Sequence, residues 1–236
     1  MGLHAGKIQA TGSTGPRQEP MEEGTSKCRV VQIIDLGVQP QGVCEGKQKP
    51  PVHKIRLTYE FTDEFCLDED GKEMEDKPRW LSEEIPLHPL SSDLANSTKR
   101  YKAMDPELVC GGDFTQMGGA PVNVTVVNNP DKKGKKDDKG RLVIYNNIGA
   151  VTSMKKKEIA NLPEAVNPVV VFSRDEATAE QFAALPTFLQ EKIKAGLDFA
   201  GCPLDLLLRG DTLKSEGGEE PQAATAAEDA GNKRPW

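Results

Sequence analysis

Aromatic residues are scarce in this chain, at 5% of 236 positions, and only two of them are tryptophans. So few large rings suit one modest core with solvated loops rather than a large multidomain enzyme. Histidine is scarcer still. His4, His53 and His88 lie far apart, none at metal-ligand spacing from a cysteine or a carboxylate cluster, and each reads as a surface or strand residue. The five cysteines, Cys28, Cys44, Cys66, Cys110 and Cys202, contain no Cys-x-x-Cys pair. An odd and irregular set speaks against both a disulfide framework and a zinc site, so reduced thiols in a cytoplasm are expected. No apolar run approaches the roughly 20 residues that span a bilayer, and the N-terminus lacks the apolar block of a signal peptide. A soluble intracellular protein without membrane partners is expected. Also missing are a Gly-Lys-Ser phosphate loop and a Gly-x-Ser-x-Gly elbow. The run Asp68-Glu69-Asp70-Gly71-Lys72-Glu73 lacks the alternating ligands of a calcium loop. An enzyme would need a metal cluster among Asp63, Glu64, Asp68 and Asp70, in a loop too irregular to preorganise one. No catalytic residue, metal or cofactor is therefore expected.

What the chain does contain is a set of strand-like runs between Cys28 and Val151. The first runs from Arg29 to Gly37. In the second, Lys54 to Phe61, apolar residues alternate, so Ile55, Leu57, Tyr59 and Phe61 share a buried face while Lys54, Arg56, Thr58 and Glu60 look outward. Lys77 to Leu87 is extended, because Pro86 forbids a helix, and reads as the partner of the second run. Pro121 to Val127 and Arg141 to Ile148 flank a charged connection without apolar residues, the pattern of an antiparallel hairpin. Ser92 to Met104 has helical spacing. Beyond Val151, Pro163 and Pro168 imply an extended crossing, and Val169 to Phe172 supplies an edge strand or a groove plug. Two helices follow, starting at Asp175 and at Pro186. The expected organisation is a disordered segment over 1–26, a small β-barrel over 27–153, an extended crossing and helical hairpin over 154–209 packed on the barrel, and a disordered acidic tail over 210–236.

The net charge is −7, from 30 basic and 37 acidic residues, which argues against an indiscriminate polycation. Acidic residues gathered in a tail can still leave a basic face elsewhere. Cations and aromatics do recur together: Lys54 and Arg56 on the outer face of one strand, Lys77, Arg79 and Trp80 opening its partner, Lys99 and Arg100 beside Tyr101, and Arg141 near Tyr145. A groove that tracks a single nucleic-acid strand needs this combination, with cations for phosphates and flat side chains for stacked bases. Trp80 is either such a platform or a core anchor, whereas Tyr59 and Phe61 belong to the core by alternation. The loop from Lys132 to Lys139 either closes over a bound strand or is a solubilising tip, its charge diluted by Asp131, Asp137 and Asp138.

The order Val31-Gln32-Ile33-Ile34-Asp35-Leu36-Gly37, Lys77-Pro78-Arg79-Trp80-Leu81-Ser82, Gly118-Gly119-Ala120-Pro121-Val122-Asn123-Val124-Thr125-Val126-Val127 and Tyr145-Asn146-Asn147-Ile148-Gly149-Ala150-Val151 resembles the OB-fold single-stranded DNA-binding proteins of tailed bacteriophages. The resemblance continues through Leu185 to Lys194 and covers roughly Cys28 to Arg209. It implies a mainly β fold, an OB-like five-stranded barrel with a C-terminal helical hairpin and disordered tails. It also implies sequence-independent binding of single-stranded DNA in phage replication or recombination, in the cytoplasm of the infected bacterial host. Lys54, Arg56, Lys77, Arg79, Lys99, Arg100 and Arg141 would meet phosphates, and Trp80 and Tyr145 would stack bases. In such proteins an acidic tail with a terminal aromatic recruits replication proteins; here Glu219, Glu220, Glu228, Asp229 and Trp236 stand in those places, with Lys233-Arg234 as a departure. A homo-oligomer is left open. The alternative is a protein-interaction or virion component that uses the barrel as a scaffold.

Overall fold

A computed structural model describes residues 18–44 and 46–210 of the chain. The first strand, β1 (Gly24–Gln39), is long enough to serve several partners. After a loop carrying the two-residue strands β2 (Val43–Cys44) and β3 (Lys47–Gln48) comes β4 (Val52–Leu67), antiparallel to β1 over nearly its whole length. β5 (Glu73–Pro86) pairs with the other side of β4, as its sequence implies. β6 (Pro121–Pro130) lies along the first part of β1, from Gly24 to Arg29, and forms the expected hairpin with β7 (Ile144–Ser153). Where β6 leaves off, β8 (Val170–Phe172) runs parallel to β1 along Gln32 to Ile34. The six-stranded sheet thus has the order β5-β4-β1-β6-β7, with β8 attached to β1. The protein is mainly β.

Alternation in β4 fills the main core. Ile55, Leu57, Tyr59 and Phe61 are buried there with Cys28, Val30, Ile33, Val122, Val124 and Val126. β1 follows no such simple period, because its register shifts between Val30 and Gln32 and again between Asp35 and Gly37. Each bulge inserts one residue and re-aims those that follow. Val30 and Ile33 therefore enter the main core, while Ile34 and Leu36 enter a second one, built with Phe172, Phe182, Leu185, Leu189, Ile193 and Leu204. Gly37 suits the second bulge: its φ is 72°, and the Arg174 guanidinium occupies the space that a Cβ would need.

Helices cover both faces. α1 (Asn96–Met104) and a 3-10 turn at Phe114–Met117 sit on the main core through Tyr101, Met104 and Met117, with the Phe114 ring edge-on to Tyr101 at 5.1 Å. After the single turn α2 (Lys156–Ile159) the chain crosses the sheet, and then α3 (Ala179–Ala183), α4 (Thr187–Lys194) and α5 (Pro203–Arg209) cover the second core. These are three short helices where a two-helix hairpin is expected. α3 begins four residues later than Asp175, because Thr178 and Gln181 form a reciprocal capping box. The crossing is held by buried charge. Glu60 points outward from β4 as expected but is only 2% exposed, accepting hydrogen bonds from Val166 N at 2.7 Å and from Asn167 N at 2.9 Å and its side-chain amide. Arg29 donates to the carbonyls of Leu162 and Pro163.

The N-terminal strap starts within the stretch expected to be disordered. Gln18 exchanges two hydrogen bonds with the backbone of Leu67, at the end of β4, and Asn146 of β7 does the same with the backbone of Met21. The Met21 side chain is buried in the main core, which gives the strap a hydrophobic reason to be fixed. Among the described residues no hydrogen-bond ladder joins β5 to β7; the strap bridges from the end of β4 to β7 instead. No described helix is long and apolar enough to cross a membrane.

Candidate nucleic-acid interface

β5 and the connection that leads into β7 bring two of the expected phosphate-binding residues together. Side chains alternate along β5, so Leu81 and Ile85 pack on the main core, and Arg79 lies on that same side. From the middle of β5, Arg79 lines a cavity of about 270 Å³ together with Arg141, Leu142, Ile144 and Asn146. Lys139, Asp137 and Asp138 line the same cavity from the β6–β7 connection, and Gln18, Glu19 and Pro20 line it from the strap. Arg141 is half exposed and held by two carboxylates, its Nε donating to Asp137 at 2.9 Å and its Nη2 to Glu19 at 2.9 Å. Asp137 also accepts the backbone N–H groups of Lys139 and Arg141, so it shapes the loop as much as it neutralises charge.

Tyr145 belongs to the neighbouring cleft. Its ring is 46% exposed on the face of β7 opposite Asn146, and it meets Asn129, Pro130, Lys132, Lys133 and Asn147 there. The hydroxyl donates to Asp131 at 3.3 Å, and Asp131 in turn caps the backbone N–H groups of Lys133 and Lys135. These amides hold the Asp131 carboxyl below its usual range despite the opposing effect of desolvation. The lysine connection is therefore a folded, twice-capped loop next to an exposed aromatic. Its backbone pairs Lys136 with Leu142.

Trp80 stands half exposed on the other face of β5 from Arg79, opposite Glu60 in the register with β4. Lys77 is exposed on the same strand, with its Nζ 3.6 Å from the Met74 sulfur. The remaining expected cations are elsewhere. Lys54 and Arg56 are half-buried on β4, and Arg56 is engaged by Glu84 at 3.6 Å and by the Phe188 ring of α4 at 5.5 Å. Lys99 is exposed on α1. Arg100 points inward, 5% exposed, with a two-pronged pair to Glu83 at 2.7 and 3.1 Å. Burial works against its charge, but the bond and charge of Glu83 more than restore it, and the same Glu83 accepts from the Tyr59 hydroxyl. This charge is committed to the interior. The structure thus gathers Arg79 and Arg141 in one cavity with Tyr145 beside it, and separates Arg56 and Arg100 from that group. Glu219, Glu220, Glu228, Asp229 and Trp236 lie outside the described residues.

Two features escape sequence reasoning. The first is Glu19, which completes the cavity from the strap and carries no motif; Lys139 beside it belongs to the lysine loop singled out in the sequence. The second is a charged network under the C-terminal helices. Asp35 accepts from His53 Nε2 at 2.6 Å, from Gly37 N at 2.8 Å and from Arg174 Nε at 3.3 Å, while both Arg174 Nη atoms grip Asp198 at 2.9 and 2.6 Å. The bond to Asp35 raises the His53 pKa above its ordinary 6.5 against the effect of burial. Burial opposes ionisation of Asp35, but His53, the Gly37 amide and Arg174 outweigh it and lower its pKa. Among the described residues no group of three or more His, Cys, Asp or Glu side chains is placed to hold a metal ion. No family model matches the chain, and no curated protein matches it either; the functional reading rests on the geometry of this basic edge.

Proposed function

We propose that the protein is a single-stranded DNA-binding protein of the tailed-phage type, coating DNA without strong sequence preference during replication or recombination in the cytoplasm of an infected bacterium. The curled sheet with its covering α1 serves as an OB-like barrel in this reading. The observation that carries it is that Arg79 of β5 and Arg141 of the β6–β7 connection line one cavity, next to a cleft with an exposed Tyr145 and the lysines of the same connection. Cations for phosphates beside a ring for bases are what a strand-binding groove requires. Lys77, Arg79, Arg141 and the loop lysines neutralise phosphates, Tyr145 and Trp80 stack, and the acidic segment with Glu219, Glu220, Glu228, Asp229 and Trp236 recruits replication proteins. Arg100 is left out of the interface because its charge is spent on Glu83.

The test is anisotropy of a labelled single-stranded oligonucleotide titrated with the full chain across a salt series, with duplex DNA as competitor. Binding should weaken steeply with salt and resist duplex competition, and Arg79→Ala should flatten the slope of log K against log salt by about 0.7 for each phosphate it no longer neutralises. Affinity independent of salt would overturn the reading. A protein-interaction role is favoured by a different observation, the exposed Phe188, Leu197 and Leu207 on the C-terminal layer. No binding at low salt would move the assignment there.

A further inference from the structure

Glu19 holds a position in the cavity that a nucleic-acid phosphate would be expected to take. Its carboxylate lies 2.9 Å from Arg141 Nη2 and 4.0 Å from Lys139 Nζ, with Arg79 lining the same cavity. Arginine and lysine meet a phosphate oxygen through the same charge-assisted bonds that they make to this carboxylate. The rest of the strap does not need Glu19 to stay in place. Gln18 is bound to the backbone of Leu67, Asn146 and Asn128 bind the backbone of Met21, Met21 is buried, and Glu23 accepts from Asn128 N. Glu19 itself is 56% exposed and Arg141 54% exposed, and an ion pair so open to water adds little to the stability of a fold. It is also easily exchanged for another anion.

We propose that the N-terminal strap is a built-in competitor for DNA: Glu19 acts as a stand-in phosphate on Arg141 and Lys139, and a strand enters the β5–β7 cavity by displacing that side chain while the strap remains docked. This rests on the strand-binding reading above and adds a regulation of the same site. Asp137 is not equivalent, because it takes the Nε edge of Arg141 and caps the loop, which leaves the Nη2 edge for exchange. The carboxyl of Glu19 is kept below its ordinary 4.5 by the Arg141 hydrogen bond first and by the cationic charge around it, so it remains an anion at neutral pH. Salt screens the Glu19–Arg141 pair as well as the phosphate contacts, so the competition fades as salt rises and the native protein loses affinity less steeply than its cations alone would dictate.

The experiment compares full-length Glu19→Gln and Glu19→Ala with the wild type by oligonucleotide anisotropy over a salt series. Glu22→Gln, exposed on the same strap, serves as a control of equal charge change. Both Glu19 variants should melt like the wild type and bind about two- to fivefold more tightly at low salt, as loss of an exposed ion pair implies. Their salt slope should be steeper, by at most about 0.7, the weight of one single-strand phosphate contact, because salt no longer weakens a competing internal pair, while Glu22→Gln should follow the wild type. Equal affinity and slope in wild-type and Glu19 variants, with the wild type binding well, would overturn this inference alone. An equal gain in Glu22→Gln would reduce it to a general charge effect and overturn it too. Failure of every protein to bind at low salt would remove the strand-binding reading itself.

Discussion

Replacing Trp80 by alanine separates stacking from charge. The indole is 50% exposed, so about half of the roughly 200 Å² a tryptophan can bury is hidden, and losing it costs about 2.5 kcal/mol of stability at about 25 cal/mol per Å². For a protein of this size that lowers the melting temperature by about 5–10 °C. Binding must therefore be measured well below the new transition, with circular dichroism confirming the native sheet. If one base stacks on the exposed half of the ring, affinity falls by about 1–3 kcal/mol, which is about 5- to 150-fold. The salt slope should not change, because the indole carries no charge and releases no counterion. Trp80→Phe should keep most of the affinity. A folded Trp80→Ala protein with wild-type affinity would refute the stacking role and leave Trp80 as a cover over β4 beside Glu60. An altered salt slope would refute the separation of the two contributions.

Glu60→Ala should be severe without touching the basic edge. It strands two backbone N–H groups and one amide of the crossing, at about 1–3 kcal/mol for each unsatisfied group; a melting temperature within about 2 °C of the wild type, where about 2–4 °C is expected per kcal/mol, would show that the crossing is not anchored there. Stability should also depend on pH through the network under the C-terminal helices. The folded pKa of His53 is raised, so its contribution is complete below the ordinary value of 6.5 and is lost as pH rises through the folded one. Asp35 and Asp198 are lowered, so theirs is present above the ordinary 3.8 and is lost as pH falls through the folded values. Thermal melts from pH 5 to 9 should decline on the alkaline side in the wild type, and the decline should shrink in His53→Gln; identical profiles would exclude His53 as its source.

How far the sequence could be read depended on whether a residue's surroundings were local. β4 was legible because a half-buried strand carries its own record in alternating side chains, β5 because Pro86 forbids a helix there, and the hairpin of β6 and β7 because turn residues separate two β-branched runs. β1 was found as a strand, but its two-sided role was hidden: two bulges break the period, and the second core that Ile34 and Leu36 enter comes from residues after Val169. Arg100 looked like part of a surface cluster because Lys99 and Lys102 flank it. Its burial follows from how α1 sits over β5, where Glu83 waits, and no neighbour in sequence announces that. Met21 lies alone among polar residues, too weak a signal against the composition around it, yet it fixes the strap. Arg79, Arg141 and Tyr145 were readable as chemistry, not as neighbours. Their proximity depends on where the β6–β7 connection and the N-terminal strap settle beside β5, which no local pattern records.

The sharing of β1 between two partners has a consequence for any shortened version of this protein. A chain ending at Ser153 would keep every strand of the β5-β4-β1-β6-β7 path, and by strand count alone would look like a complete unit. It would also bare the backbone groups of Gln32 to Ile34 that β8 occupies, next to the greasy outward side chains of Ile34 and Leu36. An open edge beside an apolar strip invites a second chain to pair in place of β8. Residues 154–209 are thus a fitted lid on a sticky edge, and expression trials that trim them should yield aggregates or strand-swapped oligomers rather than a smaller soluble binder.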